Sequence, residues 1–176
     1  MISAYDYSEI RKIVDVGGGH GAVISMILNA YPRMRGVLFD TPSVIEGAKA
    51  QIEAAGLASR CEVVAGDFFK SVPEGGDAYI LSKIIHDWPD ARALVILKNC
   101  SRAMARNGKL VVIDQVIPPG NEPSPGKMLD ILMLLLLGSQ ERTEAEFRAL
   151  FASAGLRLTK VIRTNASADV VEAVRA

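Results

Sequence analysis

Cysteine is scarce in this sequence: two residues, Cys61 and Cys100, among 176. Both fall in runs that read as buried elements, and neither stands at a spacing that zinc ligands use. A disulfide scaffold and a structural metal are therefore excluded, and a reduced, cytoplasmic chain is expected. An excess of one charge is also missing. Lys plus Arg and Asp plus Glu number 20 each, and no basic run offers a footprint for a phosphate backbone or an anionic lipid surface. Nucleic acid and membranes drop out as partners. A long hydrophobic run is absent too. The most apolar segment, "MLDILMLLLLG" at residues 128–138, is broken by Asp130 and stops well short of the ~20 residues needed to cross a bilayer. It reads as a buried helix or as a helix awaiting a partner. The N-terminal "MISAYDYSEIRK" carries both charges and has no apolar core of signal-peptide type. Aromatic residues make up only 6%, and the single tryptophan sits in "SKIIHDWPD" beside one of the two histidines, His86.

What is present is a rhythm of short β-branched runs alternating with longer segments of helical period, in a length that suits one domain spanning residues 1–176. "KIVDVGG" predicts a strand ending at Gly17, followed by a helix over about 20–31 with Val23, Ile24, Ile27 and Leu28 on one face. "RGVLFD" is a second strand, and Pro42 opens a helix that Gly56 stops. "CEVVAGDFF" and "DAYILSKII" supply strands three and four, a helix follows from Pro89 to about Met104, and "GKLVVIDQVIP" is a fifth strand. Parallel strands joined by helical crossovers end up covered on both faces, so the fold class is α/β, a doubly wound, mostly parallel sheet. After Pro118 come a loop, "PPGNEPSPG", the Leu-rich helix, and a helix capped by Thr143 with Glu146 and closed by Gly155. "LRLTKVIRT" and "ADVVEAVRA", turned by "NAS", form a C-terminal antiparallel hairpin that brings the strands to seven.

"VDVGGGHG" puts Gly17, Gly18 and Gly19 where the first strand hands over to the first helix. Glycines there let a ligand approach the backbone, beside the unpaired N–H groups of a helix start. Asp40 closes the second strand about 20 residues on, where an acid accepts hydrogen bonds from ribose hydroxyls. Asp15, two residues before the glycines, would repel a pyrophosphate but suits the amino group or positive charge of an amino-acid-bearing cofactor. S-adenosylmethionine fits this better than NAD. Asp67 in the "GDFF" turn is placed near the adenine edge, with Phe68 either an apolar wall or plain core.

Taken in order, "VDVGGGHG", "FDTPSVIEGA", "GDFF", "KIIHDW", "GKLVVIDQVIP" and "ERTEAEFRALFASAGL" resemble the catalytic domain of the caffeic-acid-type small-molecule O-methyltransferases, from about Tyr7 to the C-terminus. The resemblance implies the Rossmann-like class I methyltransferase fold, S-adenosylmethionine as methyl donor with S-adenosylhomocysteine as product, and an aromatic hydroxyl as acceptor. Removing a hydroxyl proton during methyl transfer needs a positioned base, and a histidine titrating near 6.5 serves a phenol titrating near 10. His86, just past the fourth strand, matches the family's base. The resemblance adds two acids flanking that histidine, Asp114 and Glu141, and a cofactor-contacting lysine, Lys83. Asp114 is one methylene shorter than the glutamate common in plant relatives. Asp87 is expected to point elsewhere, Trp88 and Pro89 to pack and start the next helix, and His20 to be a loop residue without chemistry. Met133 and Leu137, one turn apart on the Leu-rich helix, are the expected acceptor wall.

Relatives carry an N-terminal helical domain that dimerises and closes over the acceptor. This sequence opens just before the cofactor domain, so it reads as an excised domain or a short homologue, any homodimer would form without that domain, and the Leu-rich helix would leave an apolar patch exposed. The resemblance implies a metal-independent enzyme, since a histidine takes the proton-removing role and no acid cluster has chelating spacing. The rival reading is a cofactor-binding fragment or degenerate domain without turnover, acting as a partner-binding or regulatory module. A nicotinamide-dependent reductase would use a Tyr/Lys catalytic pair, and none is expected here.

Overall fold

The computed structural model describes residues 4–165 and 167–176; the first three residues and Ala166, the middle of the expected "NAS" turn, lie outside the described residues. The elements run β1 (Lys12–Val16), α1 (Ala22–Ala30), β2 (Arg35–Asp40), α2 (Pro42–Ala54), β3 (Cys61–Ala65), β4 (Ala78–Ser82), a 3-10 turn (Ile85–Asp87), α3 (Asp90–Ala103) and β5 (Lys109–Asp114). They continue with β6 (Val116–Ile117), α4 (Pro125–Leu137), β7 (Arg142–Thr143), α5 (Glu144–Ser153), β8 (Leu156–Ile162) and β9 (Asp169–Arg175). Seven strands form one sheet in the order β3-β2-β1-β4-β5-β9-β8. The first five are parallel, and β9 runs antiparallel to both β5 and β8, which is the expected C-terminal hairpin.

The sheet is apolar on both faces because side chains alternate and helices cover each side. In β1, Val14 and Val16 join Tyr79, Leu81 and Val112 in a core closed by Ile96 and Leu97 of α3 and Phe147 and Phe151 of α5. Ile13, one residue away, joins Leu38, Ile80 and Val111 in a second core closed by Ile24 and Leu28 of α1 and Ile52 of α2. Strand order reverses between the parallel neighbours β1 and β4, since β2 and β3 extend the sheet to one side and β5 to the other. A crevice opens at such a switch point, beyond the carboxyl ends of the strands.

Three boundaries differ from expectation. β4 stops at Ser82, because Lys83 adopts a left-handed conformation (φ 58°) and residues 85–87 turn into 3-10 geometry. The fifth run is not one strand. It breaks after Asp114, and β6 leaves the main sheet to pair with β7, aligning Val116 with Arg142. Pro125 and Gly126 belong to the first turn of α4, capped by the Ser124 side chain, which accepts from the Lys127 amide. The apolar α4 itself is not buried: Leu135 and Leu136 are each 75% exposed, so the partner-awaiting alternative describes it. No helix among the described residues is long and apolar enough to cross a membrane.

Gly36 in β2 lies under α1. A Cβ there would stand 2.7 Å from Ile24 Cδ1 and 3.0 Å from Leu28 Cδ1. Gly36→Val should therefore overpack this face and lower stability by about 1–3 kcal/mol, read as a lower urea midpoint with an unchanged slope.

Candidate active site

The glycine turn is held from below and left open above. Gly17 (φ 70°) donates its amide to Phe39 O at 2.8 Å, Gly19 (φ 59°) to the Asp40 carboxylate at 2.8 Å, and Gly21 (φ 83°) caps α1. Gly18 has no room for a side chain: a Cβ would meet Leu38 Cδ1 at 2.4 Å and the Asp15 carboxylate at 2.7 Å. Asp15 is wholly buried, and neither carboxylate oxygen has a hydrogen-bond partner. Burial pushes it up to about 7, with the Asp40 charge adding to the rise and the Ile24 amide, near the carboxylate but outside good hydrogen-bond geometry, opposing it. A buried, unpartnered carboxylate beneath a partly exposed glycine turn suits a ligand that brings its own cationic or amino group. Asp40, at the end of β2, also accepts from the Thr41 amide. Asp67 accepts from the Phe69 amide at 2.9 Å in the next turn along. Phe68 is both wall and core: its ring edge reaches the Gly17 position while it packs edge-on against Phe69 and Trp88.

His86 lies in the 3-10 turn beyond the end of β4, its side chain 10% exposed. Its Nδ1 stands 2.8 Å from Glu141 Oε1, a carboxylate with no exposed surface. Glu141 and His86 are 55 residues apart in sequence, brought together because β6 and β7 fold the segment after α4 back over the end of β5. The other two acids depart from expectation. Asp114 does not touch the imidazole: one oxygen accepts from the His86 main-chain amide at 3.3 Å and the other has no partner. A side chain one methylene shorter than glutamate, fixed at the end of β5, reaches the turn's backbone and no further. Asp87, expected to point away, lies 3.4 Å from Nε2 within the same short turn. Burial is the largest influence on His86 and opposes its charge, yet the Glu141 hydrogen bond and the charges of Asp114, Glu141 and Asp87 outweigh it and raise the pKa. Asp114, deeply buried, is pushed up to about 7 against the pull of His86, and burial also raises Asp87.

Sequence reasoning missed three residues that hold this pair. Arg142, 1% exposed, is among the largest buried side chains; it donates to Ile85 O, Trp88 O and the Asp90 carboxylate. Asp130 accepts the Glu141 amide at 2.8 Å from α4. Asp130 had a signal, being the one acid inside the Leu-rich run. Arg142 and Asp90 had none, since nothing local distinguishes a buried arginine in "ERT" from an exposed one. Lys83 turns its ammonium to Ser167 O at 3.1 Å, and its charge also acts on Asp87 and Asp114. On α4, Met133 is half-buried and Leu137 is 52% exposed, in a helix that packs against the His86 turn. A Tyr-x-x-x-Lys spacing does occur, at Tyr79 and Lys83. It is not a catalytic pair: the Tyr79 hydroxyl is buried on the carbonyls of Pro73 and Ala103, away from the Lys83 contact with Ser167. His20 lies against Gly47 of α2.

The O-methyltransferase domain family matches over residues 1–157. The chain belongs to the O-methyltransferase domain family. Among curated relatives of this methyltransferase domain, the phenazine O-methyltransferase PhzM of Lysobacter antibioticus is 47% identical over 173 residues, covering 98% of this chain and 51% of that protein. The mitomycin biosynthesis 6-O-methyltransferase of Streptomyces lavendulae is 39% identical, covering all of this chain and 50% of that protein. The domain thus spans about half the length of the curated relatives it matches. The LaPhzM crystal structure superposes with a TM-score of 0.95 over 99% of this chain and 53% of that one, at 47% identity. NcsB1, from neocarzinostatin biosynthesis and in complex with S-adenosylmethionine and 2-hydroxy-5-methyl naphthoic acid, superposes at 0.90 with 32% identity, over 99% of this chain and 52% of its own.

The buried acids and His86 bind more protons folded than unfolded, because their folded pKa values lie above the ordinary ones. For Asp15 and Asp114 the stabilising protonation is complete below about pH 4 and lost as pH rises toward 7; for His86 it is lost above the ordinary 6.5. The domain should therefore melt higher at pH 5 than at pH 8. Asp15→Asn should raise the melting temperature at pH 8 by about 3 °C or more and flatten this pH dependence, as followed by circular dichroism.

Proposed function

We propose that this domain catalyses S-adenosylmethionine-dependent methylation of a phenolic or related hydroxyl on a small aromatic molecule, with His86 as general base and no metal in the reaction. The observation that carries the reading is the buried 2.8 Å contact between His86 Nδ1 and Glu141, at the same carboxyl edge of the sheet as the glycine turn. Asp15, Gly17, Gly18, Gly19, Asp40, Asp67 and Phe68 would hold the cofactor, with the Lys83 ammonium bordering the same region. The fit rests on the orphaned Asp15 carboxylate, which suits the amino-acid end of that molecule, and on backbone that tolerates no side chain at Gly18. When bound, S-adenosylmethionine supplies an electrophilic methyl group on a sulfonium. The relatives that hold S-adenosylmethionine or S-adenosylhomocysteine, NcsB1 and CalO1, support the same assignment here.

The chain's own residues handle the proton. Donation of Nδ1–H to Glu141 fixes the neutral tautomer and leaves the Nε2 lone pair to accept the hydroxyl proton as attack proceeds. The resulting imidazolium is stabilised by Glu141 on one side, Asp87 on the other and Asp114 beneath the turn. Met133 and Leu137 are the proposed apolar wall for the acceptor's ring. Both cysteines are free and buried, in keeping with a reducing, cytoplasmic setting. The exposed apolar side chains of α4 favour a second reading, a cofactor-binding module without turnover.

Calorimetry should show S-adenosylhomocysteine binding to the 176-residue chain, and no binding would overturn the cofactor assignment. His86→Ala should keep that binding while losing about 100- to 10,000-fold in methyl transfer to a phenol panel, with transfer by the unmodified chain unchanged in EDTA. Binding without transfer to any phenol would favour the module.

A further inference from the structure

We infer that Arg142 is a positioning residue for the proton-accepting pair: its guanidinium ties the turn carrying His86 to the segment carrying Glu141, just before β7, and so sets their separation. The inference rests on the reading of His86 as base and Glu141 as its orienter. The 3-10 turn at Ile85–Asp87 is a single turn, closed by only two main-chain hydrogen bonds, Asp87 N–H to Ile84 O at 3.1 Å and Trp88 N–H to Ile85 O at 3.3 Å. Arg142 Nη1 donates to Ile85 O at 3.0 Å, the carbonyl before His86, and Nη2 donates to Trp88 O at 2.9 Å, just beyond Asp87. The same Nη1 reaches Gln140 O, the carbonyl before Glu141, at 3.4 Å. Base and acid are thus bracketed by one rigid planar group whose own residue directly follows the acid in the chain.

The charge of that group is answered from the rim. Asp90 Oδ1 accepts from Nε at 3.0 Å, from Nη2 at 2.8 Å and from Gln140 Nε2 at 3.0 Å, while its side chain stays 63% exposed. Burying a guanidinium carries a heavy desolvation cost, and an apolar side chain of similar volume would fill the space at less expense. What only arginine provides is a fork of donors in fixed directions; lysine keeps the charge but loses the fork. The remaining anchors act on single points: Asp130 on the Glu141 amide and Asp114 on the His86 amide.

The test reads the imidazole directly, without turnover. The chain has two histidines, so His86 can be followed by NMR titration with His20 as internal control. The charged groups facing His86 are Glu141 from the β7 segment, Asp114 from β5 and Asp87 in its own turn. Glu141→Gln should lower the His86 pKa and define the full loss. Arg142→Lys and Asp90→Ala should each lower it by about half a unit or more, roughly a threefold change in proton affinity, while His20 does not move. In the Glu141→Gln background neither should lower it further, because the coupling runs through that contact. Asp90→Ala alters an exposed side chain and keeps the test decisive should Arg142→Lys fail to fold. Lowering by Glu141→Gln alone, with Arg142→Lys or Asp90→Ala titrating as the unmodified chain, would overturn the positioning role and leave the base assignment standing. No change in Glu141→Gln would overturn the orienter reading and this inference with it.

Discussion

The hydrogen bond between His86 Nδ1 and Glu141 Oε1 draws together parts of the chain that have no other reason to meet. For it to form, β4 must end early at Lys83, β5 must break after Asp114, and the segment after α4 must return to lay β7 beside β6. Each is a departure from a plain doubly wound sheet, and each happens at the carboxyl edge next to the β1–β4 switch point. The sheet supplies rigidity, with both faces packed, and the irregular pieces at its edge supply chemistry. Arg142, Asp90 and Asp130 then act as a frame around the pair, fixing main chain on both sides of it.

The same edge is electrostatically uncomfortable. Asp15, Asp114 and Glu141 are buried with at least one carboxylate oxygen lacking a partner. A stable fold rarely tolerates such groups unless they await something, and their positions divide naturally. Asp15 lies beside the glycine turn, while Asp114 and Glu141 flank the His86 turn and favour the charged form of its imidazole. The domain thus carries stability losses at neutral pH that ligand binding and imidazole protonation would relieve. That is the trade expected at a reactive site, where an arrangement suited to charge in transit is not the arrangement of lowest energy for the empty protein.

Much of this was legible in the sequence. The alternation of β-branched runs with helical segments predicts the element order, and the chain follows it because parallel strands covered on both sides leave few alternatives. The capping box at Thr143 and Glu146 forms as its spacing requires. The glycine turn, and the meeting of His86 with Glu141, were expected from the ordered motifs, and the structure has both. What local pattern could not carry was geometry decided at long range. A continuous apolar run, "GKLVVIDQVIP", hides the break that swings β6 to β7. A one-methylene difference decides that Asp114 meets backbone and not ring, and nothing in "HDW" announces that Asp87 lies 3.4 Å from Nε2. Arg142 is invisible as a buried residue until the segments it joins are folded against one another.

The account turns on which nitrogen of His86 carries the proton when the ring is neutral. Nitrogen-15 NMR of the imidazole, recorded above the His86 titration, reads this directly. Donation to Glu141 predicts a proton on Nδ1 with Nε2 unprotonated and open to an acceptor hydroxyl. A neutral ring protonated on Nε2, with Nδ1 bare beside the Glu141 carboxylate, would contradict it.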